Sequence, residues 1–234
     1  MNDLFKKYIP VNDSKQKTSE YYLTDVLNIS NINGSYKVLG LGCGTGESLE
    51  YFTGLNNKID WYGIGIEKSP EVQCRKKENE RFISFDGINI PFPDDHFDLI
   101  YCKQVFEHVR YPRELLAEVS RVLKLGGYFV GSTSHLEPFH SLSFWNYTPY
   151  GFSVLISEAK LKLLELRPSI DSLTLIIRRG LGCPKFFNIF WKVESPLNFF
   201  ITVVGKIFRI SAITINTIKL LFCGQFIFFA TKEK

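Results

Sequence analysis

Residues 36–52 constrain this chain more than any other stretch. Tyr36-Lys37-Val38-Leu39-Gly40-Leu41 is a mostly apolar run of strand length, and Gly42, Gly44 and Gly46 follow at every second position. Glu47 to Phe52 then continues with helix-compatible apolar spacing. Strand, glycine turn, helix is the opening of a nucleotide-binding α/β unit. The glycines let the backbone turn sharply and approach a ligand. The helix start offers unpaired N–H groups to a polar or anionic group. The spacing is G-x-G-x-G, not the G-x-G-x-x-G that seats a pyrophosphate, and no G-x-x-x-x-G-K-[ST] occurs. A glycine turn without a ligand is the plain alternative, but a strand–helix turn seldom needs three glycines.

Strands and helices alternate after this opening. Asp60 to Ile66 reads as a second strand ending at Glu67. That acid follows the glycine turn at about the interval, roughly twenty residues, at which a carboxylate reaches a ribose and can accept from both hydroxyls. The alternative for Glu67 is a solvated acid ahead of a helix expected from Pro70 to Asn79. Arg81 to Phe85 reads as a third strand closing on Asp86-Gly87, a pair that also forms turns. A fourth strand starts at Phe97, after prolines that prevent regular structure. Pro112 to Leu123 places apolar residues at 115, 116, 119, 122 and 123, one helical face. Tyr128–Thr133, Leu163–Pro168 and Gln225–Lys232 read as the remaining strands, with a helix over 148–159.

Three motifs together carry a family resemblance: Gly42-Cys43-Gly44-Thr45-Gly46, the run Pro91-Phe92-Pro93-Asp94-Asp95-His96-Phe97-Asp98, and Arg121-Val122-Leu123-Lys124-Leu125-Gly126-Gly127-Tyr128-Phe129. They resemble the class I S-adenosylmethionine (SAM) methyltransferases of the type 11 group, best over Tyr36 to Ser134. The resemblance implies an α/β fold: a Rossmann-like, seven-stranded, mostly parallel sheet with an antiparallel last strand and helices on both faces. It implies SAM as cofactor, with Gly42, Cys43, Gly44 and Gly46 along its methionine end and Gln104 nearby. Asp86 and Gly87 would meet the adenine, and Glu67 keeps the ribose role. The chain departs from the family at Gly40, where an acid is usual. Glu107-His108-Val109 matches a further family triplet. His108 is a candidate general base or a helix-cap side chain, and His140 is a second candidate base. The aromatic-rich stretch from His135 to Tyr150 is where acceptor choice is expected. His135 and His140 alone make no convincing metal site.

The net charge is only +4, and no basic run exceeds Arg75-Lys76-Lys77, so no nucleic-acid partner is expected. Five cysteines, with no C-x-x-C pair, suggest reduced thiols and a cytoplasmic setting. The N-terminus shows no signal-like apolar run. Residues 1–35 read as an N-terminal helical cap and 36–234 as the methyltransferase domain, with a helical apolar insertion at about 169–224. Within it, 197–222 is strongly apolar. Lys206, Arg209 and Lys219 would each cost about 2.5–3.5 kcal/mol at a bilayer centre, which argues against a span. A buried or partner-facing helix pair, such as a homodimer contact, is expected there, with peripheral membrane contact as the alternative. The functional expectation is methyl transfer from SAM to a small-molecule acceptor, such as an oxygen of a glycan, lipid or secondary metabolite. Three alternatives stand beside it. The missing third glycine argues against a nicotinamide-dependent oxidoreductase. Weak basic patterning argues against a nucleic-acid methyltransferase. Gly40 leaves room for a non-catalytic SAM-binding partner subunit.

Overall fold

A computed structural model describes residues 3–29, 35–67, 69–75 and 81–233. Its strands are β1 (Tyr36–Leu41), β2 (Ile59–Gly65), β3 (Phe82–Ser84), β4 (Phe97–Lys103), β5 (Leu123–Ser134), β6 (Leu161–Pro168) and β7 (Gln225–Lys232). They form one sheet in the order β3-β2-β1-β4-β5-β7-β6. The first five run parallel, and β7 is antiparallel to both β5 and β6. This is the Rossmann-like α/β sheet with its antiparallel last strand. β1 and β7 fall on the expected residues. β5 starts earlier than expected because the chain leaves its helix directly into the sheet. A register shift opposite Phe97 to Leu99 absorbs the left-handed Gly126 (φ 75°).

The helices are α1 (Asp3–Lys6), α2 (Glu20–Ile29), α3 (Glu47–Leu55), α4 (Pro70–Gln73), α5 (Pro112–Val122), α6 (Pro149–Glu158), α7 (Ser172–Gly180), α8 (Pro196–Ile207) and α9 (Ala212–Phe222). The helix expected over 70–79 is a single turn ending at Gln73; residues 76–79 of it lie outside the described residues. The central strands are apolar on both faces, as a sheet covered on both sides requires. On one face Leu39, Ile100, Cys102 and Phe129 pack with Leu115, Leu116 and Val119 of α5 and Phe152 of α6. On the other, Val38, Trp61, Leu99, Tyr101 and Val130 pack with Leu23 and Val26 of α2 and Phe52 of α3. The N-terminal segment enters both cores: Phe5 and Ile9 belong to the first, Tyr22, Leu23 and Val26 to the second.

The segment 169–224 folds as α7, a 3-10 stretch (Lys185–Trp191), α8 and α9. None of the described helices is long and apolar enough to cross a membrane. α8 is inside out. Asn198, Thr202 and Gly205 face inward, while Phe199, Phe200, Val203 and Ile207 stand outward at 59, 62, 37 and 70% exposure. The inward side-chain donors are used. Asn198 Nδ2 donates to Gln16 Oε1 (2.7 Å) and to the Ser169 carbonyl (2.8 Å). Gly205 lets α9 come close, since a Cβ there would lie 2.6 Å from Ile215 Cδ1. Gln16 also accepts from Ser195 N–H (3.1 Å) and Oγ–H (2.8 Å) and donates to the Phe190 carbonyl (2.6 Å). Asn216 of α9 donates to the carbonyls of Pro10 (3.0 Å) and Asp13 (2.8 Å), and Lys219 to that of Ser14 (2.6 Å). Residues 10–16 thus strap across the inner side of this helical layer.

Candidate functional site

The chain leaves β1 toward β2 on one side and returns to β4 on the other, so strand order reverses between β1 and β4. In open α/β sheets the crevice at the carboxyl ends of such a strand pair is where ligands bind. The glycine turn borders it. Gly42 (φ 67°), Gly44 (φ 47°) and Gly46 (φ 87°) are all left-handed, and Gly46 is the N-cap of α3. At Gly42 a Cβ would sit 2.4 Å from Val105 Cγ2, and at Gly46 2.6 Å from Phe82 Cζ. Those two positions need glycine for space as well as for conformation. Backbone and side-chain bonds fix the turn. Cys43 N–H donates to the Ile64 carbonyl (3.0 Å), and Arg75 donates through Nη2 (2.8 Å) and Nε (3.1 Å) to the Gly44 carbonyl. The Arg75 guanidinium lies 4.0 Å from the centre of the Phe82 ring. Sequence reading did not single out Arg75. The Cys43 sulfur turns toward Gly63 of β2, and burial pushes the thiol up to about 11, so Cys43 offers the site its backbone only.

The other expected cofactor residues line the same edge of the sheet. Glu67 is exposed just beyond the end of β2. Asp86 and Gly87 (φ 92°) form the turn after β3. The Asp86 carboxylate accepts from Ile88 N–H (2.8 Å), Asn89 N–H (2.7 Å) and Asn89 Nδ2 (2.5 Å), bonds that hold its pKa below the usual carboxylate value. The turn-forming role of Asp86 is therefore visible in the geometry. Gln104 sits at the end of β4 in a left-handed conformation (φ 54°), uncommon for a residue with a side chain.

Gly40 has a structural explanation. It pairs with Gly63 across β1 and β2, and the Trp61 indole lies over both. A Cβ at Gly40 would be 2.8 Å from Trp61 Cζ2, and one at Gly63 2.2 Å from Cη2. The indole occupies the space of the acid that the family usually carries. It is fully buried, and its Nε1 has no hydrogen-bond partner among the described residues. Replacing Gly40 by Asp would therefore drive a carboxylate into an indole.

Across the crevice, the ends of β4 and β5 bring acids and histidines together. Glu107 is fully buried in a 3-10 turn (Phe106–His108). Its carboxylate accepts from Thr133 Oγ1 (3.1 Å). Ser134 Oγ lies 3.3 Å from Glu107 Oε1 and 2.7 Å from Glu137 Oε2. One hydroxyl carries one proton, so a single serine cannot donate to both acids. Burial, with the Glu137 charge adding to it, raises the Glu107 carboxyl to about 7. A protonated Glu107 donates to Ser134, which donates to Glu137. The Gln104 amide, turned with its nitrogen toward the acid, donates to Glu107 Oε1 (2.7 Å).

His140 lies beside Glu137, with Nδ1 3.7 Å from Oε1. That nitrogen is also 3.2 Å from the Pro138 carbonyl, which can only accept. The proton of a neutral His140 therefore sits on Nδ1, and Nε2 keeps a lone pair. The rings of His108 and His140 meet edge to face at 5.3 Å. Burial, then the neighbouring His140, lowers the His108 pKa, so its ring is neutral at neutral pH. One ligand atom from each of Glu107, His108 and His140 lies within 4.8 Å of the others, a spacing that could also hold a divalent cation. His135, weighed as His140's partner in the sequence, stands apart from this group. Glu107 and Glu137 are the members to which sequence reading gave no role. The signal available for Glu107 was its triplet with His108, and for Glu137 its place in the aromatic-rich stretch from His135 to Tyr150; neither pointed to the pairing of the two acids.

The loop from 135 to 150 is pinned to this centre. Phe144 N–H donates to the Glu107 carbonyl (2.7 Å), Trp145 Nε1 to Val109 (2.8 Å) and Tyr147 OH to Phe106 (3.1 Å). Phe139, Leu142 and Phe144 remain exposed on it.

Known proteins resemble this chain in sequence and in fold. Residues 39–131 match the family model described as a methyltransferase domain. A phthiotriol/phenolphthiotriol dimycocerosates methyltransferase of Mycobacterium tuberculosis is 30% identical over 115 residues, 48% of this chain and 42% of that protein. A fatty-acid O-methyltransferase of Mycolicibacterium smegmatis is 33% identical over 99 residues, 40% of this chain and 35% of that protein. The matches thus span less than half the length of these curated relatives. Among solved structures, YcgJ of Bacillus subtilis superposes with a TM-score of 0.56 at 20% identity, covering 92% of this chain and 99% of that one. That likeness speaks for the fold.

Proposed function

We propose that this chain, whose residues 39–131 match a methyltransferase-domain model, transfers a methyl group from SAM to an oxygen of a small-molecule acceptor of the glycan, lipid or secondary-metabolite kind. The observation that carries the reading is the cradle at Gly42 and Gly46, where left-handed backbone and crowding exclude any Cβ beside the crevice. Gly42, Gly44, Gly46 and the Cys43 backbone would hold the methionine end, with Gln104 nearby. Glu67 would take the ribose, and Asp86 with Gly87 the adenine edge. Bound there, the cofactor supplies a methyl already activated by a positive sulfur.

The work left to the protein is alignment, exclusion of water and removal of the acceptor's proton. His140 is the better-placed base: its Nε2 carries the lone pair, and Glu137 beside Nδ1 stabilises the imidazolium that forms. Neutral His108 is the second candidate. Ser134 and Glu107 extend the group as a proton store behind Glu137. The aromatic loop would wall the acceptor from water.

The reading is tested by calorimetric titration of the full chain with SAM, with NADH as control. Micromolar SAM binding is expected, weakened at least about tenfold in Glu67→Ala by loss of the charge-assisted ribose contacts, with no NADH binding. A folded protein that binds no SAM would overturn the enzyme reading. It would favour the partner-subunit alternative, which the indole in place of the usual acid supports.

A further inference from the structure

The outer face of the 169–224 layer is apolar where it meets water. Phe199, Phe200 and Ile207 stand out from α8, and Ile176 and Ile177 are exposed on α7, which contacts α8. At the α8–α9 corner, Phe208 joins Ile207 between Lys206 and Arg209. This corner is a built feature. Arg209 takes φ 54°, its N–H donates to the Lys206 carbonyl (3.1 Å), and Ile210 N–H donates to that of Gly205 (2.8 Å), closing the helix end. A contiguous apolar surface of this kind marks a contact face.

Charge decides the occupant. Residues 169–224 hold seven lysines and arginines against two acids. Both acids are turned away: Asp171 is buried, capping α7 through Thr174 N–H (2.7 Å), and Glu194 pairs with the buried Lys219. Arg179, Lys185, Lys192, Lys206 and Arg209 are exposed, and none makes an ion pair with a described residue. A second copy of the chain on a two-fold axis would set these cations against their own kind. Lipid phosphates would neutralise them. α8 has 12 residues and so a length of about 18 Å, short of the roughly 30 Å hydrocarbon core. It suits a helix lying in the interface, aromatic rings down and long cations reaching up to the headgroups.

We propose that the α7–α8 face docks on the surface of an anionic lipid bilayer. The inference is independent of the methyl-transfer reading. It is tested by co-sedimenting the full chain with vesicles of phosphatidylcholine alone or with about a third phosphatidylglycerol. Binding at least about tenfold stronger to the anionic vesicles is expected. Phe200→Ser with Ile207→Ser should remove about tenfold or more of it, and Lys206→Glu with Arg209→Glu likewise, all with unchanged thermal melts because these side chains face solvent. Equal binding to neutral vesicles, no binding to either, or variants that bind like the parent would each overturn the proposal. So would sedimentation equilibrium without lipid showing a stable dimer that Phe200→Ser with Ile207→Ser dissolves; the face would then belong to a second copy.

Discussion

Glu107 shows how burial, with a like charge nearby, can set a residue's chemistry. Its carboxyl is raised from 4.5 to about 7 in the folded chain, so the native state holds its proton more tightly than the unfolded one. Stability from this group is therefore full below the unfolded value and is lost as pH rises through the folded one. The span corresponds to about 3 kcal/mol. Glu107→Gln cannot ionise, so its stability relative to the parent should climb by about that amount between roughly pH 4.5 and 8. Urea unfolding at both ends of the range measures this, and a difference that stays constant with pH would refute it. Gly46 makes the steric counterpart. Alanine there must adopt φ 87° and sit 2.6 Å from Phe82. The left-handed backbone and the overpacking together should cost about 2–4 kcal/mol, read from the denaturant midpoint.

At the scale of elements, α8 depends on one side chain of the strap. Gln16→Ala would leave buried donors on Ser195 and Asn198 unpaired, at a cost of about 2–3 kcal/mol. The loss should be local: amide exchange in α8 should quicken while β1 and β4 keep their protection. Elements also show where the sequence could be read. β1, β7 and the apolar face of α5 announce themselves, because their burial follows the period of their own backbone. α8 does not, because its apolar stripe faces out and its inward face is Asn198, Thr202 and Gly205. The glycine turn was legible for the same local reason as β1. The pairing of Glu107 with Glu137 was not, since two strand ends and a serine between them create it. Nor was the reason for Gly40, which lies in the ring of a residue on the next strand.

For the whole molecule, the modest net charge conceals an uneven distribution. The 169–224 layer carries the positive excess, so a total near neutrality says little about any one face. The described part of the N-terminal segment, residues 3–29, is equally bound into the whole. It supplies Phe5 and Ile9 to one core, Leu23 and Val26 to the other, and the strap under α8 and α9. A chain begun at residue 36 should lose its cooperative thermal transition by circular dichroism; a sharp melt would show the cap to be dispensable.

The lock of Gly40, Trp61 and Gly63 has a consequence for the order in which this sequence can change. A carboxylate at position 40 meets the indole, so Trp61 must shrink first. Shrinking it alone opens a void over two glycines, at the cost of several kcal/mol usual for truncating a buried aromatic. Each single step from this chain toward the acid therefore runs downhill in stability, and only paired changes cross without a loss. The three positions behave as one unit, inherited or replaced together.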